Sequence, residues 1–110
     1  MTRRSHLLAI SLLAAALATT AVRAETTGAT LLSWCSGKDQ GLLLCVGYLR
    51  GVSEATADSD RRSCTANAST AELRKSIVEY LEGNRDLLAK GASALAANAM
   101  TLAFPCSNRN

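Results

Sequence analysis

Along the chain, apolar residues first form one unbroken run and then recur three and four positions apart. Leu7 to Ala18, LLAISLLAAALA, is apolar but for one serine. Glu25 to Gly28 reads as a loose start, and Ala29–Trp34 predicts a short helix with Leu31, Leu32 and Trp34 as its apolar surface. Ser36-Gly37-Lys38 breaks it, since glycine suits a helix C-cap, and Asp39 can cap the next helix. From Gln40 to about Ala57, Leu42, Cys45, Leu49 and Val52 recur as one face of an amphipathic helix. Gly47 and Gly51 share a side of it. Each costs up to about 1 kcal/mol inside a helix, so the pair predicts close approach by a neighbouring helix. Asp58 to Ala68, DSDRRSCTANA, is polar and reads as the longest loop. Ser69-Thr70-Ala71-Glu72 fits a capping box and opens a helix to about Glu82, with Leu73, Ile77, Tyr80 and Leu81 as its stripe. Gly83-Asn84 stops it, and Asn84–Lys90 reads as a linker or turn. Ala92–Phe104 follows, with Leu95, Ala99 and Leu102 on one face and Pro105 ending it. No strand-like alternation occurs. The pattern predicts an all-α fold, a small disulfide-stabilised bundle of about four helices.

The N-terminal run changes how the composition is read. Arg3 and Arg4 precede it without an acid, and Val22-Arg23-Ala24 follows with small residues at the positions a signal peptidase reads. Basic region, apolar region and A-x-A-like end predict a secretory leader, residues 1–24, cut after Ala24. A spanning helix needs roughly 20 apolar residues, which this run does not reach, so no membrane anchor is expected after cleavage. Thr2-Arg3-Arg4-Ser5 and Arg23 bring the twin-arginine route into view, but His6 stands where that signal prefers an aromatic, and ordinary secretion fits better. The domain is then residues 25–110, with periplasmic localisation.

Charge and chemistry shift with the leader. The formal charge of +3 lies in Arg3, Arg4 and Arg23; beyond them nine basic residues balance nine acidic ones. No basic stripe remains, and nucleic acid is not an expected partner. His6, the one histidine, leaves too. A chain without histidine has no Ser-His or Cys-His nucleophile pair, no His-containing zinc set and no haem attachment motif. No catalytic residue, metal site or cofactor is expected, and the chain does not read as an enzyme.

Four cysteines, Cys35, Cys45, Cys64 and Cys106, remain. Their separations of 10, 19 and 42 residues lack the C-x-x-C spacing of redox or zinc sites, and in an exported chain they read as two disulfides. Three pairings are possible. Cys35 ends the first helix and Cys45 lies early in the second after a tight turn; Cys64 precedes the third helix and Cys106 follows the fourth. Antiparallel hairpins would bring Cys35 to Cys45 and Cys64 to Cys106. In a domain this small, each bond contributes about 2–4 kcal/mol of a net stability of about 5–15 kcal/mol.

Two readings of the polar loop stand level: a solvated connector tied down by a disulfide, or a contact loop presenting Asp58, Asp60, Arg61 and Arg62 to a partner. The four aromatics, Trp34, Tyr48, Tyr80 and Phe104, fall near apolar stripes and read as packing residues.

LLSWC, then CVGYLRGV, a third cysteine, TAELRKSIVEYLEGN and ASALAANAMTLAFPC follow one another in an order that resembles the Rap/Tai-type immunity proteins of type VI secretion, over essentially the whole of residues 25–110. Cys45-x-Gly47-Tyr48-x-x-Gly51 and Ala103-Phe104-Pro105-Cys106 carry the resemblance most specifically. The usual proline near the fourth segment is replaced by Asn84-Arg85-Asp86, which leaves that turn's shape open. The resemblance implies a periplasmic protein that binds a peptidoglycan-degrading amidase effector and occludes its active site, often as a homodimer. It transfers no contact residues. A small helical scaffold also suits a periplasmic acid-stress chaperone or an unassigned binding module; broad suppression of client aggregation at low pH would mark the former.

Overall fold

The computed structural model describes residues 25–56 and 63–106. The expected leader, residues 1–24, and Asp58, Asp60, Arg61 and Arg62 lie outside the described residues. Within them are four α-helices and one 3-10 turn: α1 (Gly28–Ser36), α2 (Gln40–Thr56), α3 (Thr70–Gly83), the 3-10 turn Arg85–Leu87, and α4 (Ala92–Ala103). The described residues contain no strand, only two isolated antiparallel bridges, Thr27 with Gly91 and Ser63 with Pro105.

The helix ends follow local chemistry, with one departure. Thr27 caps α1, its hydroxyl accepting from the Thr30 N–H at 3.3 Å. Ser69 caps α3, accepting from the Glu72 N–H at 3.1 Å, while its hydroxyl donates to the Glu72 carboxylate. Asn84 closes α3: its backbone N–H bonds the Leu81 carbonyl and its side chain the Tyr80 carbonyl. Asp39 departs from the expected extended N-cap. Its φ is 55°, in the left-handed region that a short polar residue tolerates, and its carbonyl accepts from Leu43 N–H. The turn the resemblance left open is a run of tight bonds, Leu87 N–H to Asn84 carbonyl, Leu88 to Arg85 and Lys90 to Leu87.

Each helix supplies its stripe to one core. Leu31 and Cys35 enter from α1, Cys45 and Leu49 from α2, Leu73, Ile77 and Leu81 from α3, and Ala92, Leu95, Ala96, Ala99 and Met100 from α4. Burying one Leu or Ile stabilises by about 1.5–3 kcal/mol, so these four-residue steps hold the bundle. Trp34, Tyr48, Tyr80 and Phe104 pack half-buried against the same cluster, with the Trp34 and Tyr48 rings edge to face, centroids 6.2 Å apart. Leu102 is a correction. The buried stripe of α4 runs through Ala92, Ala96, Ala99 and Met100, and Leu102 falls off its edge on the last turn, 72% exposed.

A second correction concerns the N-terminal segment, which is not loose. Ala92 N–H bonds the Thr26 carbonyl at 2.7 Å, Gly28 N–H the Lys90 carbonyl at 2.9 Å and Ala29 N–H the Leu88 carbonyl at 2.9 Å. Gly28 permits the approach, because a Cβ there would stand 2.5 Å from Leu95 Cδ1 and 3.3 Å from Leu88 backbone.

Candidate functional site

The two hairpins are clamped at their ends. Cys35 is joined to Cys45 and Cys64 to Cys106, each with Cα atoms 5.0 Å apart. No described cysteine is free, so none of the four offers a thiol nucleophile. The described residues hold no cluster of three or more His, Cys, Asp or Glu that could bind a metal ion, and no helix among them is long and apolar enough to cross a membrane.

The described chain stops at Thr56, the end of α2, and resumes at Ser63, where it is heavily anchored. Cys64 N–H donates to the Phe104 carbonyl at 2.8 Å beside the Cys64–Cys106 bond. The hydroxyls of Ser53 and Thr65 are hydrogen-bonded to each other. Thr65 and Ser63 are buried, and the Ser63 hydroxyl has no partner among the described residues. Arg50 reaches from α2 to the Ala68 carbonyl at 3.4 Å and the Thr70 hydroxyl at 3.3 Å, fixing the run into α3. The segment holding Asp58, Asp60, Arg61 and Arg62 lies outside the described residues, and what is described is its two boundaries, the end of α2 and the Cys64–Cys106 cystine. At the opposite end Arg74 donates through Nε to the Cys35 carbonyl at 2.8 Å, placing a cation at the C-terminus of α1, where the helix dipole favours it.

The second feature of the site is the outer face of α2. Gln40, Leu43, Leu44, Gly47, Gly51 and Glu54 lie within roughly 60° of one line down a helix that turns 100° per residue, opposite buried Cys45 and Leu49. Leu43 is 73% exposed and Leu44 46%. The expected close approach of a neighbouring helix to Gly47 and Gly51 does not occur, because a Cβ on either would meet nothing within 4 Å. The glycines face away from the bundle. A signal for this face was present in Leu42-Leu43-Leu44: a helix cannot turn three consecutive side chains inward. The exposure of Leu102 could not be found that way, since its spacing from Leu95 matches the buried stripe.

Among the described residues, Tyr48 is the one titratable side chain whose pKa is clearly moved. Its phenol is pushed up from 10.0, first by burial and then by the charge of Glu25, with the Ser93 hydroxyl working against them.

A protein-family model described as Rap1a immunity proteins matches residues 27–106. No curated protein and no solved structure matches.

Proposed function

The chain belongs to the Rap1a immunity proteins, whose role is to bind a cognate effector, and on that premise we propose that it protects a type VI secretion producer from a peptidoglycan-degrading amidase. In this reading the leader carries the chain to the periplasm. The folded domain then occludes the active site of the amidase, performs no chemistry and acts as a homodimer. The family match over residues 27–106 carries the reading. Two observations support binding over catalysis: the cysteines are paired in disulfides, and the only histidine is His6, in the expected leader. The loop bearing Asp58, Asp60, Arg61 and Arg62 is the proposed contact, because a cystine and the Arg50 bonds anchor its return.

The test is a titration of the purified, oxidised protein against an amidase effector encoded beside it, following release of peptide from peptidoglycan. Cutting should fall in proportion to added protein and stop near a stoichiometric ratio. Reversing the charges of Asp58, Asp60, Arg61 and Arg62 together should weaken the inhibition at least tenfold. Undiminished cutting at excess protein, with broad retention of unfolded clients at low pH, would replace the immunity reading with the chaperone one.

A further inference from the structure

The N-terminus of α4 is held by a distant part of the chain. Its own cap residue is Gly91, which has no side chain to offer, and no side-chain cap bond is made from that position. The first helical N–H groups of a helix need acceptors and favour a negative charge. Here the charge comes from Glu25, more than sixty residues upstream. The carboxylate of Glu25 fills the place a side chain at 91 would occupy, its atoms 2.5–2.7 Å from where that Cβ would stand. Its Oε1 accepts from the Ser93 hydroxyl at 2.6 Å, and Ala92 N–H bonds the neighbouring Thr26 carbonyl at 2.7 Å. Gly91 itself has φ −60° and ψ 132°, a conformation open to any residue, so its value here is space for the carboxylate.

We infer that Glu25 is a latch: its carboxylate, held by the Ser93 hydroxyl, brings a negative charge to the start of α4 beside the Thr26–Ala92 backbone bond, and it makes the first residue of the exported chain part of the fold. A chain beginning at Glu25 closes the latch, and one beginning at Thr26 cannot. The inference rests on the leader ending at Ala24 and is independent of the effector reading.

The test is a thermodynamic cycle on the exported full chain, whose N-terminus is read by mass spectrometry. Glu25→Ala should lower Tm by about 2–4 °C, the shift expected in a domain this small when a charge beside a helix N-terminus and its one hydrogen bond are lost, and Glu25→Gln by less. Gly91→Ala should lower Tm comparably by displacing the carboxylate, although alanine suits that backbone. In the Glu25→Ala background, Gly91→Ala should cost nothing or raise Tm, giving strong coupling between the two sites. Equal costs of Gly91→Ala in both backgrounds would overturn the latch, and so would an exported chain that starts beyond Glu25. Failure of amidase inhibition would leave this cycle unchanged, so the two readings fall separately.

Discussion

Cys35–Cys45 lies inside the core with neither residue exposed and closes 10 residues, whereas Cys64 stands exposed at the surface, bonded to Cys106 across 42. Loop-closure entropy alone assigns about 3 kcal/mol to the first and about 4 kcal/mol to the second. Burial reverses the ranking. The inner sulfurs are also core atoms, packed among Leu31, Leu49 and the α3 stripe, while the outer bond mostly tethers a loop end and the C-terminal segment. One cystine is packing that happens to be covalent, and the other is a tie beside the proposed contact surface.

The sharpest way to break this comparison is Cys35→Ser with Cys45→Ser. Two hydroxyls left unpaired at fully buried positions cost about 1–3 kcal/mol each beyond the lost closure. More than 5 kcal/mol is expected in total, and urea unfolding should show little or no cooperative transition. Cys64→Ser with Cys106→Ser should cost about 4 kcal/mol and keep a cooperative transition. A larger loss from the outer pair would show that the tether, not the core, governs stability.

The same contrast extends to single residues on the two sides of the molecule. Ile77→Ala, in the core, should cost about 2–5 kcal/mol; Leu43→Ala, on the open face of α2, should stay within about 0.5 kcal/mol. Chemical denaturation of both decides it, and a costly Leu43→Ala would mean that the outer face is covered in solution. Gly47→Ala and Gly51→Ala should each raise stability by about 0.5–1 kcal/mol, because nothing meets a Cβ there. If stability rises while self-association is lost in sedimentation, the proposed homodimer uses this face.

The smallest expected effect is alkaline and belongs to the inner end, where Tyr48 follows Cys45 by one turn. The fold favours the neutral phenol of Tyr48. That contribution is whole below the ordinary value of 10.0 and is lost as pH climbs through the raised one. Thermal melts from pH 8 to 11 should show a steeper decline for the native chain than for Tyr48→Phe.

The sequence made the helices legible because each has both a periodic stripe and an end signal. Ser69 and Glu72 announced α3, and Leu73, Ile77 and Leu81 its buried side. The disulfide pairing argued from helix direction coincides with the observed one, since two hairpins leave each cysteine one near neighbour. Gly47 and Gly51 misled, because composition says a helix is thin there but not whether anything comes to fill the space. Glu25 to Gly28 misled for the opposite reason. A short polar segment with no stripe carries no sign that Lys90, Gly91 and Ala92 supply its hydrogen-bond partners. Of the candidate site, its anchoring was half visible in Cys64; the Ser53–Thr65 and Arg50 bonds depend on α2 lying beside a segment 12 to 20 residues away.

Considered only as covalent bonds, the molecule is two rings, residues 35–45 and 64–106, strung on a single thread, residues 46–63. A protease cut within either ring leaves one molecule. A cut in the thread leaves two, and Asp58, Asp60, Arg61 and Arg62 all lie on it. Such a nicked protein keeps its shape while α1 and α2 remain packed on α3 and α4. Once unfolded, its halves drift apart, and recovery becomes a meeting of two partners whose success depends on concentration. The segment proposed to face an effector therefore lies where a single cut turns reversible unfolding into dissociation.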